Sequence, residues 1–584
     1  HLTTRRQRQM CIRDRGQADE SVWADFSLAS ARSLTPPQGV QLPTSFRALS
    51  VDTRTLSDLL DTAGRGRAAT TRISLPHPKG GFEVLDFYPS NIMSAELARK
   101  YPQVRAYKGR SVDDPHVTAT LEVTPRGVTA QVLTPAERWM LDPLLAGRPD
   151  LVVAYFAKNG NVVGREHKCL FETAPPVKPD SPQSALTARS AERSAARAVG
   201  QSLRTYRIAV AATGEYSTYH GGTKAGALSA ITTTMNRVTG IFEREISVSF
   251  TLVDIDDIIF LNASTDGLTN NDAGALIDES QSVIDSVIGT GNYDIGHTFS
   301  TGAGGLAGRG PCRASSKARG VTGRSAPIGD AYDVDYVAHE IGHQFDGNHT
   351  FNGVTANCSG GNRSASTAYE PGSASTILGY AGICGSDDLQ ANSDDIFSAA
   401  SFDEMVAYVE DGDGASCGTT STINSPNTGA QNTAPSVDAG SDYTVPSSTP
   451  LILSGSATDS DGDTLTYIWE QRDLGPAQAL GSADNGSSPL FRVWDVTAEP
   501  VRYLPQLADV VAGTQSDAEI VPRLSREMDF RLTARDGNGG VNSDDMVVNV
   551  VATPSYLSPF AITEPSAGGE LSLIHISEPT RPPE

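Results

Sequence analysis

The sequence predicts a multidomain chain. A mixed α/β (α+β) domain with a mixed sheet and a histidine-bearing helix is preceded by a mostly β unit and followed by an all-β sandwich. Three observations predict this. At 584 residues the chain is too long for one core. Period-two alternation marks both outer parts, whereas strand-like and helix-like stretches alternate in the middle. Two segments of loop composition, 176–204 and 421–435, separate the three parts.

The formal net charge of -23 argues against a nucleic-acid or anionic-membrane partner, since both attract clustered Lys and Arg. No apolar run is long enough to cross a bilayer. Richness in Gly, Ser, Thr, Asn and Asp is ordinary for an extracellular, loop-rich protein. Gln9 to Arg15 can be back-translated as a sequencing adapter, and Leu571 to Arg581 as the opposite strand of a similar one. Residues 1–15 and 571–584 are therefore expected to be adapter artefacts and are set aside. A signal peptide is then expected to lie beyond the sequence in hand.

The first unit, 16–175, carries alternating stretches at Gly81–Phe87, Val117–Val123 and Val128–Val132, which predict a half-exposed sheet. Ser94 caps a short helix with Glu96 in its first turn. The unit holds no cluster of catalytic residue types. Segment 176–204 turns from Pro-rich to Ala/Ser/Arg-rich, with Arg189, Arg193, Arg197 and Arg204. It reads as an exposed linker, easily cut, and so either as an activation site or as a plain linker.

The mixed domain, 205–420, opens with the strand Tyr206–Ala212. Thr223–Phe242 reads as a helix with Ala227, Ile231, Met235, Val238 and Ile241 on its apolar face. Ser247–Val253 reads as a strand, Asn271 caps a helix to Ile288, and Ile295–Ser300 is a further strand. The Gly-rich Thr301–Gly310 suits an edge strand and loop at a cleft. After the 421–435 linker, residues 436–553 hold short strands at Leu451–Leu453, Leu465–Trp469, Phe530–Ala534 and Met546–Val550. Asp/Gly turns between them fit an Ig-like sandwich. The DSDGD turn at Asp459–Asp463 reads either as a calcium loop or as plain turn chemistry. Residues 554–570 read as the start of a truncated further module.

The chemistry concentrates in Asp333–Phe351, DVDYVAHEIGHQFDGNHTF. On a helix, Val334, Val337, Ala338, Ile341 and Phe345 share one face, and His339 and His343 lie a turn apart on the other. His349 follows a turn at Asp346-Gly347. Three neutral imidazoles bind zinc and leave a fourth position for water, whose pKa zinc lowers toward ~7. Glu340, beside the first ligand, is placed to act as general base.

His339 to His349 is similar to the metzincin motif HExxHxxGxxH. With TYRIAVAATGEY at Thr205–Tyr216 and YDIGHTFS at Tyr293–Ser300, it resembles the bacterial reprolysin-like (M12B-type) metallopeptidases over about 205–417. The resemblance implies a secreted zinc endopeptidase acting on extracellular proteins or peptides, with 16–175 as its propeptide. Two positions depart from the pattern. Asp346 stands at the motif's glycine, and Asp tolerates left-handed geometry better than most residues. Ser375–Ala381 looks like the Met-turn, with Leu378 at the methionine position, an apolar swap of similar volume.

In some metzincins a tyrosine at the position of Tyr380 contacts zinc or steadies the oxyanion; the other reading is a buried structural Tyr. Glu215 and Asp294 match positions where some reprolysins bind structural calcium, and surface acids are the other reading. His220 and His297 are expected to make ordinary hydrogen bonds. Thr350-Phe351 also resembles pappalysin-type metzincins, the nearest competing family. The 436–553 stretch resembles PKD-like modules, implying an extracellular matrix or surface target. An inactive metzincin-fold adhesion protein is the alternative from another class, although Glu340 and all three histidines are retained.

Setting Cys11 aside leaves five cysteines. Cys312, Cys358, Cys384 and Cys417 allow three pairings, of which Cys312–Cys417 with Cys358–Cys384 is preferred and the others stay open. Cys169, in the propeptide-like unit, is either a latent-state zinc ligand or a free or lost-partner thiol.

Overall fold

The computed structural model describes residues 21–33, 42–63, 70–145, 147–160, 169–171, 198–302 and 304–552. The adapter-like ends, the 554–570 segment and linker residues 176–197, with Arg189, Arg193 and Arg197, lie outside them. Among the described residues no helix is long and apolar enough to cross a membrane.

Residues from Trp23 to Phe156 form a nine-stranded antiparallel sheet. Its central strands are not half-exposed as expected: Thr118–Thr124 and Gly127–Leu133 are buried on both faces. One face covers the apolar core of Leu85, Leu121, Val128 and Trp139. The other, with Thr120, Glu122 and Gln131, lies against the long helix Lys224–Ile246, whose N-cap is Thr223. A neighbouring helix thus buries the polar half of the alternation.

The middle part is the predicted mixed α/β arrangement. Its sheet runs in the order 169–171, 305–307, 320–323, 295–300, 202–212, 248–252. The last four of these strands are mutually parallel, whereas Gly305–Ala307 runs antiparallel to Gly320–Gly323. Thr419–Thr422 pairs antiparallel with the start of Ser202–Ala212. Arg204 therefore belongs to the central strand and not to the linker; its guanidinium donates to the carbonyls of Ala415 and Cys417. The second long helix is Ala273–Val287, capped by Asp272 and not by Asn271, because the Asp272 carboxylate reaches the amides of Gly274 and Ala275.

The C-terminal part pairs Tyr443–Pro446, Val541–Val551, Arg526–Arg535 and Thr466–Gln471 in a four-stranded sheet, with two two-stranded sheets beside it. Its strands fall on the expected stretches, except that Leu465 lies just before the strand Thr466–Gln471. Disulfides join Cys312 to Cys417 and Cys358 to Cys384.

Candidate metal centre

The histidine-bearing helix is built in three pieces: Asp330–Tyr332, a π-helical Asp333–Ala338, and the α-helical His339–Gln344. The sequence predicts one regular helix from Asp333. The wider π turn departs from that, yet Val334, Val337, Ala338, Ile341 and Phe345 are all fully buried as its apolar face. His339 and His343 emerge one turn apart, opposite that face.

The chain then reverses at Asp346, whose φ of 74° is left-handed; Asp is among the few non-glycine residues that accept this. Its carboxylate pairs with Arg309. Gly347 follows because nothing larger fits: a Cβ there would overlap Leu378. Leu378 also lies under Gly342, so the leucine at the Met-turn position packs directly beneath the ligand helix. Glu370, itself buried, accepts from the amides of Ser375 and Thr376 and from the Thr376 hydroxyl, fixing the turn that carries Leu378.

The three imidazoles converge. His343 Nε2 lies 3.0 Å from His339 Nε2 and 3.0 Å from His349 Nε2. Each Nδ1 faces a backbone carbonyl at 2.7 Å: Ile377 for His339, Gly347 for His343, Asn362 for His349. A carbonyl only accepts, so each Nδ1 carries the proton and each Nε2 presents a lone pair. Burial pushes the pKa of His339 down to about 4 and keeps the ring neutral. Three lone pairs aimed at one point repel without a cation between them, so these residues fit a metal ion. They form one of two groups among the described residues able to hold one.

Glu340 is fully buried and faces the edge strand, where a Cβ at Gly305 would overlap its carboxylate. Gly305 lies in the Gly-rich stretch predicted as edge strand and cleft, but its contact with Glu340 has no sequence signal. On its free side this strand pairs in parallel with Cys169–Phe171, in a register that sets Cys169 opposite Gly305. The Tyr380 ring is buried, stacked on Phe351 at 4.5 Å and edge-on to His349 at 4.6 Å.

Glu404 was not singled out from sequence. It accepts from the amide and side chain of Asn348 and so steadies the turn before His349; burial raises its pKa to about 7. His297 bonds Gln344 and Thr322 as an ordinary core histidine, and His220 packs edge-on against Tyr216. Both Asp294 oxygens are taken by Arg207, so a guanidinium stands where calcium was expected. Glu215 lies in the short helix Gly214–Tyr219, outside both metal-capable groups.

Residues 202–405 match the model of metallopeptidase family M12B, reprolysin-like. This segment is similar to reprolysin-like metallopeptidase domains. M12 metallopeptidases use zinc, which the three converging imidazoles suit. No curated protein matches the chain. Among solved structures, a nucleoside hydrolase-related hypothetical protein from Saccharophagus degradans, associated with carbohydrate metabolism, is 12% identical, covers 59% of this chain and 100% of its own, and has a TM-score of 0.16. At that score it carries no argument about the reprolysin-like domain or its neighbours.

Proposed function

We propose that the protein is a secreted zinc endopeptidase, made as a zymogen, with Glu340 as its general base. One observation carries this reading: three buried imidazoles, each oriented through Nδ1 by a backbone carbonyl, converge beside a buried glutamate at a glycine-lined sheet edge. Zinc bound by His339, His343 and His349 would supply Lewis acidity, polarising water and the scissile carbonyl. With Cys169–Phe171 displaced, Gly305–Ala307 would become an edge strand and offer main-chain hydrogen bonds to an extended peptide, a common mode of peptide recognition. A Glu340 carboxylate oxygen takes the proton from the attacking water and returns it to the departing amide nitrogen as the C–N bond breaks. Tyr380, whose ring packs against His339 and His349, is read in this mechanism as the residue that would steady the oxyanion.

The zymogen reading rests on the strand Cys169–Phe171, which lies on the edge a substrate strand would use. Cys169 as latent-state zinc ligand belongs to the same reading. The C-terminal part, read as a PKD/Ig-like module, would direct the enzyme to an extracellular target.

Zinc content, and cleavage of casein or gelatin after the 172–197 segment is cut, test this reading. The expected result is one zinc per chain and activity reduced ~10²–10⁴-fold in Glu340→Gln. Absence of zinc from the wild type, or full activity in Glu340→Gln, would falsify it.

A further inference from the structure

The end of the active-site helix farthest from the imidazoles is held by the N-terminal β domain through buried charge. Arg138 of that domain donates from Nε and Nη2 to the two oxygens of Asp330, at 2.6 and 2.8 Å, with side chains 3% and 4% exposed. Its Nη1 reaches Asp395 at 3.4 Å. One turn on, Asp333 accepts from Thr234 and from Arg237, and Arg237 in turn donates to Asp142 and to the Ala130 carbonyl of the N-terminal domain. Asp142 also accepts from Tyr155.

The same wiring continues into the C-terminal part. Asp395 pairs with Arg244, Arg244 with Glu245, and Glu245 with Arg535. Backbone joins in as well: Met93 forms a parallel bridge with Leu252 on the outer catalytic strand, and Val199 an antiparallel bridge with Val541.

Removing the N-terminal domain would leave Asp330 and Asp333 without Arg138 and without the Asp142 that balances Arg237. A buried carboxylate deprived of its partner is far costlier than a pair never formed. The strand Cys169–Phe171 contrasts with this: three residues paired along one side to a sheet edge.

We propose that the N-terminal domain, residues 21–160, is a permanent partner of the catalytic domain, so that cutting the connecting segment frees Cys169–Phe171 from the cleft and leaves the domain docked. The docking stands on the ion pairs and the backbone bridge, whereas the functional meaning of freeing the strand rests on the peptidase reading.

The test uses the full chain with a site-specific protease sequence placed at 182–188. After cutting, the two fragments are expected to co-elute in gel filtration at about 0.15 M and about 1 M NaCl, because screening acts on exposed charges and little on buried ones. Separation at the lower salt overturns the proposal. Arg138→Gln is expected to speed fragment dissociation by at least about tenfold, with Arg138→Lys intermediate because it keeps charge but loses the bidentate fork. Dissociation of Arg138→Gln at the wild-type rate removes Arg138 from the argument, and if that variant does not fold the wild-type elution decides alone. Hydrogen exchange at Gly305–Ala307 is expected to quicken on cutting; unchanged protection refutes release of the strand. Cut protein that co-elutes and binds zinc, yet cleaves no peptide, instead refutes the peptidase reading and leaves the docking intact.

Discussion

The two ends of the histidine-bearing helix solve opposite problems. From His339 to His349 the side chains are neutral imidazoles, steered by backbone carbonyls of nearby turns. From Asp330 to Asp333 they are carboxylates buried against arginines from distant parts of the chain. The first end is poised for a cation that comes from solution. The second is already neutralised by the protein. Orienting ligands costs little when the partners are uncharged dipoles close by, whereas burying ions demands complete pairing. Chemistry therefore depends on local turns, and domain assembly depends on long-range charge.

Substitutions at each end should break this comparison differently. The largest effect is expected from Glu340→Gln, a loss of ~10²–10⁴ in peptide turnover with zinc content and unfolding midpoint unchanged. Next, Arg138→Met should cost about 3–5 kcal/mol in urea unfolding, by leaving Asp330 unpaired, while folded protein keeps its zinc. A variant that lost zinc and kept its stability would reverse the assignment of the two ends. Gly305→Ala should then cost about 1–3 kcal/mol of overpacking against Glu340, visible mainly in kcat.

A pH series sharpens the comparison further. Burial raises the Glu122 pKa to about 7, with Arg237, Asn236 and Thr129 opposing and Asp333 adding to the rise. Between about pH 4.5 and 7 the unfolded chain releases this proton and the folded protein holds it, so the contribution to stability is complete at acid pH and is lost as pH rises. Stability should fall on the order of 1 kcal/mol per pH unit across that window, and Glu122→Gln should flatten the slope. The smallest effect is expected at Leu378→Met, under about 1.5 kcal/mol by calorimetry, since volume is conserved.

What could be read from sequence follows the same division. The imidazoles were legible because helical spacing is a local rule, and the left-handed Asp346 because Asp tolerates that geometry. Some strands of all three parts were legible, whereas others, such as Trp139–Leu145, Arg148–Phe156 and Gly320–Gly323, were not. Arg138 and Asp330 lie 192 residues apart, and neither stands out by type or spacing. Arg204 was read as linker because an exposed arginine and one reaching two carbonyls look alike in a sequence. At Asp294 the same holds: Arg207, one residue past the expected start of its strand, donates to both carboxylate oxygens, and nothing local in the sequence shows which acid it meets.

The π turn at Asp333–Ala338 starts at the last docking carboxylate, runs up to His339, and acts as a phase shifter. A helix that carries two faces of different purpose normally ties their angular positions together at 100° per residue. One wider turn breaks that coupling, so the docking face and the ligand face can be rotated independently. Length changes within 333–338 would move Asp330 relative to Arg138 and leave the imidazole spacing as it is. The assembly of the domains and the geometry of the metal site can therefore change along separate routes while sharing a single helix.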